Sequence, residues 1–411
     1  MRLTRRQLLR RSAGVAGAAL VGPYMITSTA LGGEGRPAAS NRMTMGCCGV
    51  GGQGSGDLQG FLNYVEVQVV AVCDVSGSAR ERARSTVDNR YKGTGCLATV
   101  DFREITGRPD IDLVFIGTPD HWHAQIAVEA LRGGKDVYCE KPECLTIREG
   151  RIMVDTARRY GRVFSGGSQR VWDDYNRIHR QIRGGAVGEV QEVWVDCGGP
   201  SDEMIRPAEP VPPDLDWDRW IGPAPYRPYN KNYHPANWRG CRDFSGGQMT
   251  DWGAHNFGGA LFACNLHMTG PVEIIPPNGR DNPLLTYVFA NGVRFHHKGT
   301  WGNSAICVRG TKGNLPARDG VGPGPAADVF IQAYRGHGGI FGDFVACAKT
   351  RERPFRDIEI AHRTCTVCHL GNIAYWLKRP IKWDPVKEEI IGDPEAARWI
   401  ERPRRAPWHL E

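Results

Sequence analysis

Three features are scarce in this chain of 411 residues, and each scarcity excludes a class. Long apolar runs are missing. The best candidate, residues 13–21, is weakly apolar and far short of the ~20 residues that cross a bilayer, so no transmembrane helix is expected. Net charge is also scarce. The total is +7, but residues 1–30 carry five arginines and no acid, so +7 less five leaves +2 for the rest. That balance gives no nucleic-acid-binding surface. Repeats and low-complexity tracts are absent as well, which excludes a solenoid. What remains is 41% hydrophobic and 24% charged, the composition of an ordinary globular chain long enough for two domains.

Two residue types are plentiful. The 52 glycines exceed the usual share, and many sit in turns and loops. The 13 cysteines are an odd number and cannot all pair. Cys47, Cys48, Cys73 and Cys139 fall inside expected buried strands and read as small hydrophobes. Residues 1–30 read as an export signal. Thr4-Arg5-Arg6-Gln7-Leu8-Leu9 resembles a twin-arginine motif, and Ser28-Thr29-Ala30 suits a cleavage site. Periplasmic export of an already folded protein is expected, with 31–41 as a small, polar linker.

From residue 42 strands and helices alternate. Strands are expected at 43–48, 65–75, 111–117, 136–139 and 162–165, with helices at 78–87, 121–132 and 146–160 between them. This alternation predicts a parallel sheet with helices on both faces, over 42–166. After about 167 the pattern changes. A helix is expected at 170–183, then strands at 190–197, 271–275, 284–289, 292–298 and 305–309, then helices at 337–350 and 358–377. These predict an α+β domain over 167–386 around an antiparallel sheet, with 387–411 as a C-terminal tail.

The first strand ends in Gly49-Val50-Gly51-Gly52-Gln53-Gly54, which opens a helix. In that context the spacing is a dinucleotide fingerprint. Gly49 permits the tight turn, Gly51 lets a pyrophosphate approach the backbone, and Gly54 lets helix and strand touch. The helix N-terminus offers free N–H groups to the phosphates. Asp74, 20 residues beyond Gly54, would accept hydrogen bonds from the adenosine ribose and repel a 2′-phosphate, favouring NAD over NADP. Asp251 and His255 are spaced i, i+4 and would share a helix face, the carboxylate raising the basicity of the imidazole.

Further runs carry a family resemblance: Thr118-Pro119-Asp120-His121-Trp122-His123-Ala124, then Gly134-Lys135-Asp136-Val137-Tyr138-Cys139-Glu140-Lys141-Pro142, then Asp251-Trp252-Gly253-Ala254-His255. Segments 214–224, 369–374 and 405–408 match too. The chain resembles the glucose–fructose oxidoreductase / inositol dehydrogenase / rhizopine catabolism (Gfo/Idh/MocA) family, in its exported subgroup. The resemblance implies an α/β protein: an N-terminal Rossmann domain plus a C-terminal α+β domain with an open, largely antiparallel sheet that commonly builds dimers or tetramers. It places Lys141, Asp251 and His255 at the catalytic positions. It puts Thr118, Pro119, His121, His123, Glu140 and Lys141 beside the nicotinamide, without a metal. Gln169 and Arg170 match a position lining the substrate cleft. Trp238 and Tyr233 either stack on a sugar or pack their loop.

The chain departs from the pattern at Glu143 and Cys144, where small or apolar residues are usual, and at Gly258, where an aspartate is usual. Gly258-Gly259 would weaken the helix there by about 1 kcal/mol each. Cys365-Thr366-Val367-Cys368-His369 spells a haem-attachment pattern, but it lies in a helical segment of the family match and conflicts with folded export. The expected activity is NAD(P)-dependent oxidation of a sugar, cyclitol or glycoside hydroxyl. Two alternatives stay open: NAD-dependent glycoside cleavage by oxidation and elimination, and a sugar-binding protein without turnover.

Overall fold

The first sheet is made of six short apolar runs, each ending where a glycine or a polar residue breaks it. β1 (Met43–Cys48), β2 (Val67–Cys73), β3 (Leu97–Thr99), β4 (Leu113–Ile116), β5 (Asp136–Cys139) and β6 (Phe164–Gly166) pair in the order 3-2-1-4-5-6, every pair parallel. This is the doubly wound order, in which ligands bind at the carboxyl ends of the strands where the order reverses, between β1 and β4. β4 reads Leu-Val-Phe-Ile and is buried on both faces, as a central parallel strand requires. The computed structural model describes residues 37–235 and 237–410. The expected signal at 1–30 and most of the linker lie outside them. Met1–Arg42 form one unit, described only as a 3-10 turn at Ala39–Asn41, and Met43–Glu411 form a second.

The helices of the first half are α1 (Gly52–Leu62), α2 (Gly77–Tyr91), α3 (Arg103–Thr106), α4 (Asp120–Arg132) and α5 (Ile147–Arg159). Their starts are locally encoded. Ser76 caps α2 by accepting from Ala79 N–H, and Thr146 with Glu149 forms a capping box on α5. β3 was not expected from the sequence, because Leu97-Ala98-Thr99 is too short to carry an alternation.

The second half contributes α6 (Arg170–Asp173), α7 (Asn176–Arg183), α8 (Trp217–Ile221), α9 (Gln248–Asp251), α10 (Gly253–Ala263), α11 (Gly339–Thr350), α12 (Ile358–Leu377) and α13 (Pro394–Ala397). Its strands are β7 (Val190–Val195), β8 (Glu273–Ile275), β9 (Leu285–Val288), β10 (Arg294–His297), β11 (Ile306–Gly310), β12 (Gly313–Leu315), β13 (Ile381–Asp384) and β14 (Glu389–Ile390), in the order 12-11-7-10-9-8-13-14. The sheet is mixed: β7 and β10 run parallel, and every other pair is antiparallel. Val193, Val195 and Phe295 face the core with α10 and α12, while Glu192, Trp194, Arg294 and His296 occupy the other face. The helix expected over 170–183 is broken between Asp173 and Asn176.

α12 belongs to both cores. Its first half packs Ile358, Ala361 and Cys365 against the parallel sheet, and its second half packs Val367, Leu370 and Ile373 under the mixed sheet. α11 covers the other face of the parallel sheet through Ile340, Phe344 and Val345. Helices late in the chain therefore complete the core of its first half. The final segment is anchored: Trp408 packs on Trp122 with ring centroids 4.8 Å apart, and Leu410 is buried. Among the described residues no helix is long and apolar enough to cross a membrane.

The departure at Gly258 has a packing reason. A Cβ there would lie 2.9 Å from Val171 Cγ2, and one at Gly259 would lie 2.4 Å from the Tyr175 ring. The two glycines let α10 sit directly on α6 and the start of α7, and α10 is buried along its whole length. Contact at this range offsets the propensity cost. Glu143 is buried and accepts from the Cys365 thiol at 3.2 Å, close to the buried guanidinium of Arg356.

Candidate functional site

A cleft of about 530 Å³ opens where the parallel sheet reverses order, between the glycine turn and the elements before the mixed sheet. Its nucleotide end is built from backbone. Gly49 has φ +79° and donates to the Cys73 carbonyl at 2.8 Å, which turns the chain off β1. A Cβ on Gly49 would lie 2.5 Å from Thr118 N, and one on Gly54 would lie 2.0 Å from the Gly49 carbonyl oxygen. Only glycine permits these approaches. At Gly52 a Cβ would meet nothing within 4 Å, and at Gly51 only Asp74 Oδ2 at 3.9 Å. That leaves an open cradle at the N-terminus of α1, the place for a pyrophosphate. The Thr118 hydroxyl is buried in the cleft wall with no partner among the described residues, so a polar ligand group would satisfy it. The residues fit a dinucleotide.

Asp74 lines the cleft. Its Oδ2 accepts from Val50 N–H and its Oδ1 from Ser76 N–H, both at 2.9 Å. Burial pushes its carboxyl up, and these two N–H groups oppose the shift. Asp214, from the second half of the chain, accepts from the Ser76 and Ser78 hydroxyls at 2.9 and 2.8 Å. Of these two carboxylates Asp74 is the one that faces the cleft, with Arg82 also lining it, and its charge would oppose an added 2′-phosphate. Replacing Asp74 with alanine is expected to weaken NAD binding about 10- to 100-fold, the worth of charge-assisted hydrogen bonds, and to narrow the preference over NADP. Calorimetric titration with each nucleotide checks it.

The other end of the cleft gathers Lys141, Gln169, Arg170, Trp238, Asp251 and His255 from both halves of the chain. Lys141 follows β5, and its Nζ donates to Asp251 Oδ1 at 2.5 Å. The lysine side chain is 15% exposed, so it is not a solvated surface group. Arg239 Nε lies 3.3 Å from the same carboxylate oxygen. Although burial opposes it, the Lys141 ammonium and then Arg239 hold the Asp251 carboxyl below its ordinary value. Glu140 also lines the cleft; burial and then Asp57 push its carboxyl well up.

Asp251 and His255 do not act as the pair their spacing suggests. Asp251 closes α9, Trp252 bridges to α10, and among the described residues no hydrogen bond joins carboxylate to imidazole. His255 Nδ1 instead lies 2.8 Å from Ser168 Oγ, which is also 3.2 Å from the Ala254 carbonyl oxygen. With the hydroxyl proton on that carbonyl, Nδ1 carries the imidazole hydrogen and Nε2 is left as an acceptor. Burial, then Lys141 and Arg170, push the imidazole down to about 3, against which Asp251 acts only as a smaller opposing charge. His255 is therefore a neutral base.

His121 and His123 stand beside the cleft and make backbone contacts. Both are buried in α4 and outside the cleft lining. His121 Nε2 bonds the Trp220 carbonyl at 2.9 Å, and His123 bonds the Pro142 and Thr118 carbonyls at 2.8 and 2.7 Å. They hold the backbone on either side of the site. Pro119, Gln53 and Thr118 do line the cleft, as do Gly49, Gly51 and Gly52. Gln169 and Arg170 open α6 there, and Trp238 forms a buried wall. Tyr233 packs its loop, donating to the Met204 carbonyl at 2.7 Å. Cys365, Cys368 and His369 are buried in α12, and His369 Nε2 bonds the Cys144 carbonyl at 3.0 Å.

Ser168, Arg239 and Asp214 were not singled out from sequence. Ser168 follows the glycine pair that ends β6, which was the available signal. Arg239 stands beside Trp238 in a loop whose course depends on tertiary packing.

Glycine cradle, strand-end acid and switch-point cleft define the class, an NAD-binding oxidoreductase. Residues 43–168 match the oxidoreductase family's NAD-binding Rossmann fold, and residues 200–410 match its C-terminal alpha/beta domain. The chain belongs to the Gfo/Idh/MocA oxidoreductase family. A curated relative, Glycosyl hydrolase family 109 protein 1 of Shewanella sp. (strain MR-4), is 34% identical over 118 residues, which are 28% of this chain and 26% of the relative. The match thus spans about a quarter of that relative's length. Among solved structures, the WlbA dehydrogenase from Bordetella pertussis in complex with NADH and UDP-GlcNAcA aligns at 14% identity with TM-score 0.60, covering 84% of this chain and 99% of that one. Aldose-aldose oxidoreductase from Caulobacter crescentus complexed with glycerol aligns at 18% with TM-score 0.57, covering 83% and 99%. At these identities the shared property is the fold.

Proposed function

We propose that this protein oxidises or reduces a sugar, cyclitol or glycoside hydroxyl with a tightly held NAD, recycled in place by a second sugar or keto acceptor. The observation that carries the reading is the meeting of Lys141, Asp251 and His255 at one end of a cleft whose other end is the glycine cradle. A bound nicotinamide supplies the hydride-accepting chemistry. Lys141 Nζ hydrogen-bonds the reacting oxygen and stabilises its developing charge, and Asp251 fixes that ammonium. His255 Nε2 takes the hydroxyl proton, held by Ser168 through Nδ1. Sugar-modifying relatives support the substrate class.

The protein as purified, with no nucleotide added, tests this when sugars, cyclitols and glycosides are titrated in under near-UV absorbance. A reduced-nicotinamide band with one of them supports the reading, and silence across the panel in nucleotide-loaded protein sinks it. A second reading, glycoside cleavage by oxidation, elimination, water addition and re-reduction, is favoured by the name of the Shewanella relative. Release of free sugar from an aryl glycoside without net nucleotide change distinguishes it.

Export through a twin-arginine signal is part of the proposal, supported by Arg5-Arg6 and the acid-free first 30 residues. Self-association into a dimer or tetramer through the outer face of the mixed sheet is supported by Trp194 and His296, which are only partly covered there.

A further inference from the structure

The catalytic end of the cleft holds more positive charge than proton transfer requires. Its cations are Lys141, Arg170 and Arg239. Its acids are fewer than the sequence suggests. Burial pushes the Asp120 carboxyl up to about 7 and drives Glu140 well above the ordinary range. Asp251 is held ionised, but one oxygen, Oδ1, faces both Lys141 Nζ at 2.5 Å and Arg239 Nε at 3.3 Å. Arg170 spends its Nη1 on Asp174 and lies over Trp252 at 5.1 Å.

Arg239 differs in its partner, which is the site carboxylate Asp251 itself. Its guanidinium carbon lies 4.4 Å from the Trp238 ring centroid, a cation–π contact. Nε lies 3.3 Å from Asp251 Oδ1, and among the described residues no hydrogen bond is assigned to the two terminal nitrogens. The side chain is 38% exposed. It stands where the cleft meets a second basin, lined by Arg206, Asn232, Asn237 and Gln248, that reaches Asp251 from the other side. A guanidinium whose two terminal nitrogens are open suits two coplanar oxygens.

Resting on the oxidoreductase reading above, we infer that the preferred substrate is an acidic sugar, a uronate whose carboxylate is seated on the Arg239 fork. The neighbouring asparagines and Gln248 supply donors and acceptors for its hydroxyls.

The test uses the full-length protein with its nucleotide. Glucuronate and galacturonate are compared with glucose and galactose, and with glucose 6-phosphate and glucose 6-sulfate, by calorimetric binding and by reduced-nicotinamide absorbance. The uronates are expected to bind at least about tenfold more tightly than their neutral parents, the range of a charge-assisted pair. In Arg239→Gln that preference is expected to collapse toward parity, while Arg239→Lys, which keeps charge without the fork, keeps part of it. Equal binding of neutral and acidic sugars, or an unchanged preference in Arg239→Gln, overturns the inference and leaves the oxidoreductase reading standing. Preference for the phosphate or sulfate overturns the carboxylate assignment. Tight uronate binding without any nicotinamide reduction by any sugar upholds the seat and sinks the reaction.

Discussion

Replacing His255 with alanine is expected to lower kcat by about 10²–10⁴-fold, the usual worth of a positioned general base. NAD affinity should barely change, because the nucleotide is anchored at the glycine cradle and Asp74, at the other end of the cleft. Single-turnover nicotinamide reduction, with calorimetric NAD binding beside it, separates the two effects. The same residue sets a pH signature. Only neutral His255 can take a proton, and burial with Lys141 and Arg170 pushes its imidazole down to about 3. Protonation, and loss of activity, therefore comes at lower pH than for a free imidazole. The acid limb of kcat/KM owed to this residue should fall well below 6.5, and an ordinary histidine limb would contradict the assignment. Ser168→Ala should cost less than His255→Ala, since it removes the support and not the base.

Lys141→Ala is expected to reduce kcat by on the order of 10²–10³-fold, comparable to removing a preorganised donor from a developing oxyanion. KM should move less than kcat, because the ammonium interacts most strongly when charge develops on the oxygen. The substitution also leaves Asp251 with Arg239 as its remaining cation. Asp251→Asn should therefore be the milder change, since it keeps an acceptor beside Lys141 while removing its charge. Steady-state kinetics of the variants on one substrate give the order; a Lys141→Ala enzyme with an unchanged kcat contradicts the role.

Much of the first half was legible in sequence because its signals are local. Gly49 and Gly54 are required by backbone approach and Gly51 by the open cradle, Asp74 is marked by its place at the end of β2, and the parallel strands by unbroken apolar runs. The second half was less legible. β12, β13 and β14 are short; β12 and β14 pair with their neighbours in sequence, while β13 reaches back to β8. The parallel pairing of β7 with β10 cannot be inferred from alternation. The roles of α11 and α12 in completing the parallel sheet's core are tertiary facts. At the site, types and positions were readable but partners were not. The i, i+4 spacing suggested that Asp251 serves His255, whereas the helix boundary at Trp252 and the arrival of Lys141 from β5 give the carboxylate to the lysine. His121 and His123 sat in the right motif, yet their imidazoles hold carbonyl groups. Departures from the family pattern had structural causes too: Gly258 and Gly259 make room for Val171 and Tyr175.

The most direct test of the central claim is label transfer. A reactive sugar deuterated at its oxidised carbon is mixed with the purified protein, and the nicotinamide extracted from it is weighed by mass spectrometry. Deuterium on the nicotinamide, lost in His255→Ala, is the predicted result. A product formed while the nicotinamide stays unlabelled would contradict hydride transfer at this site.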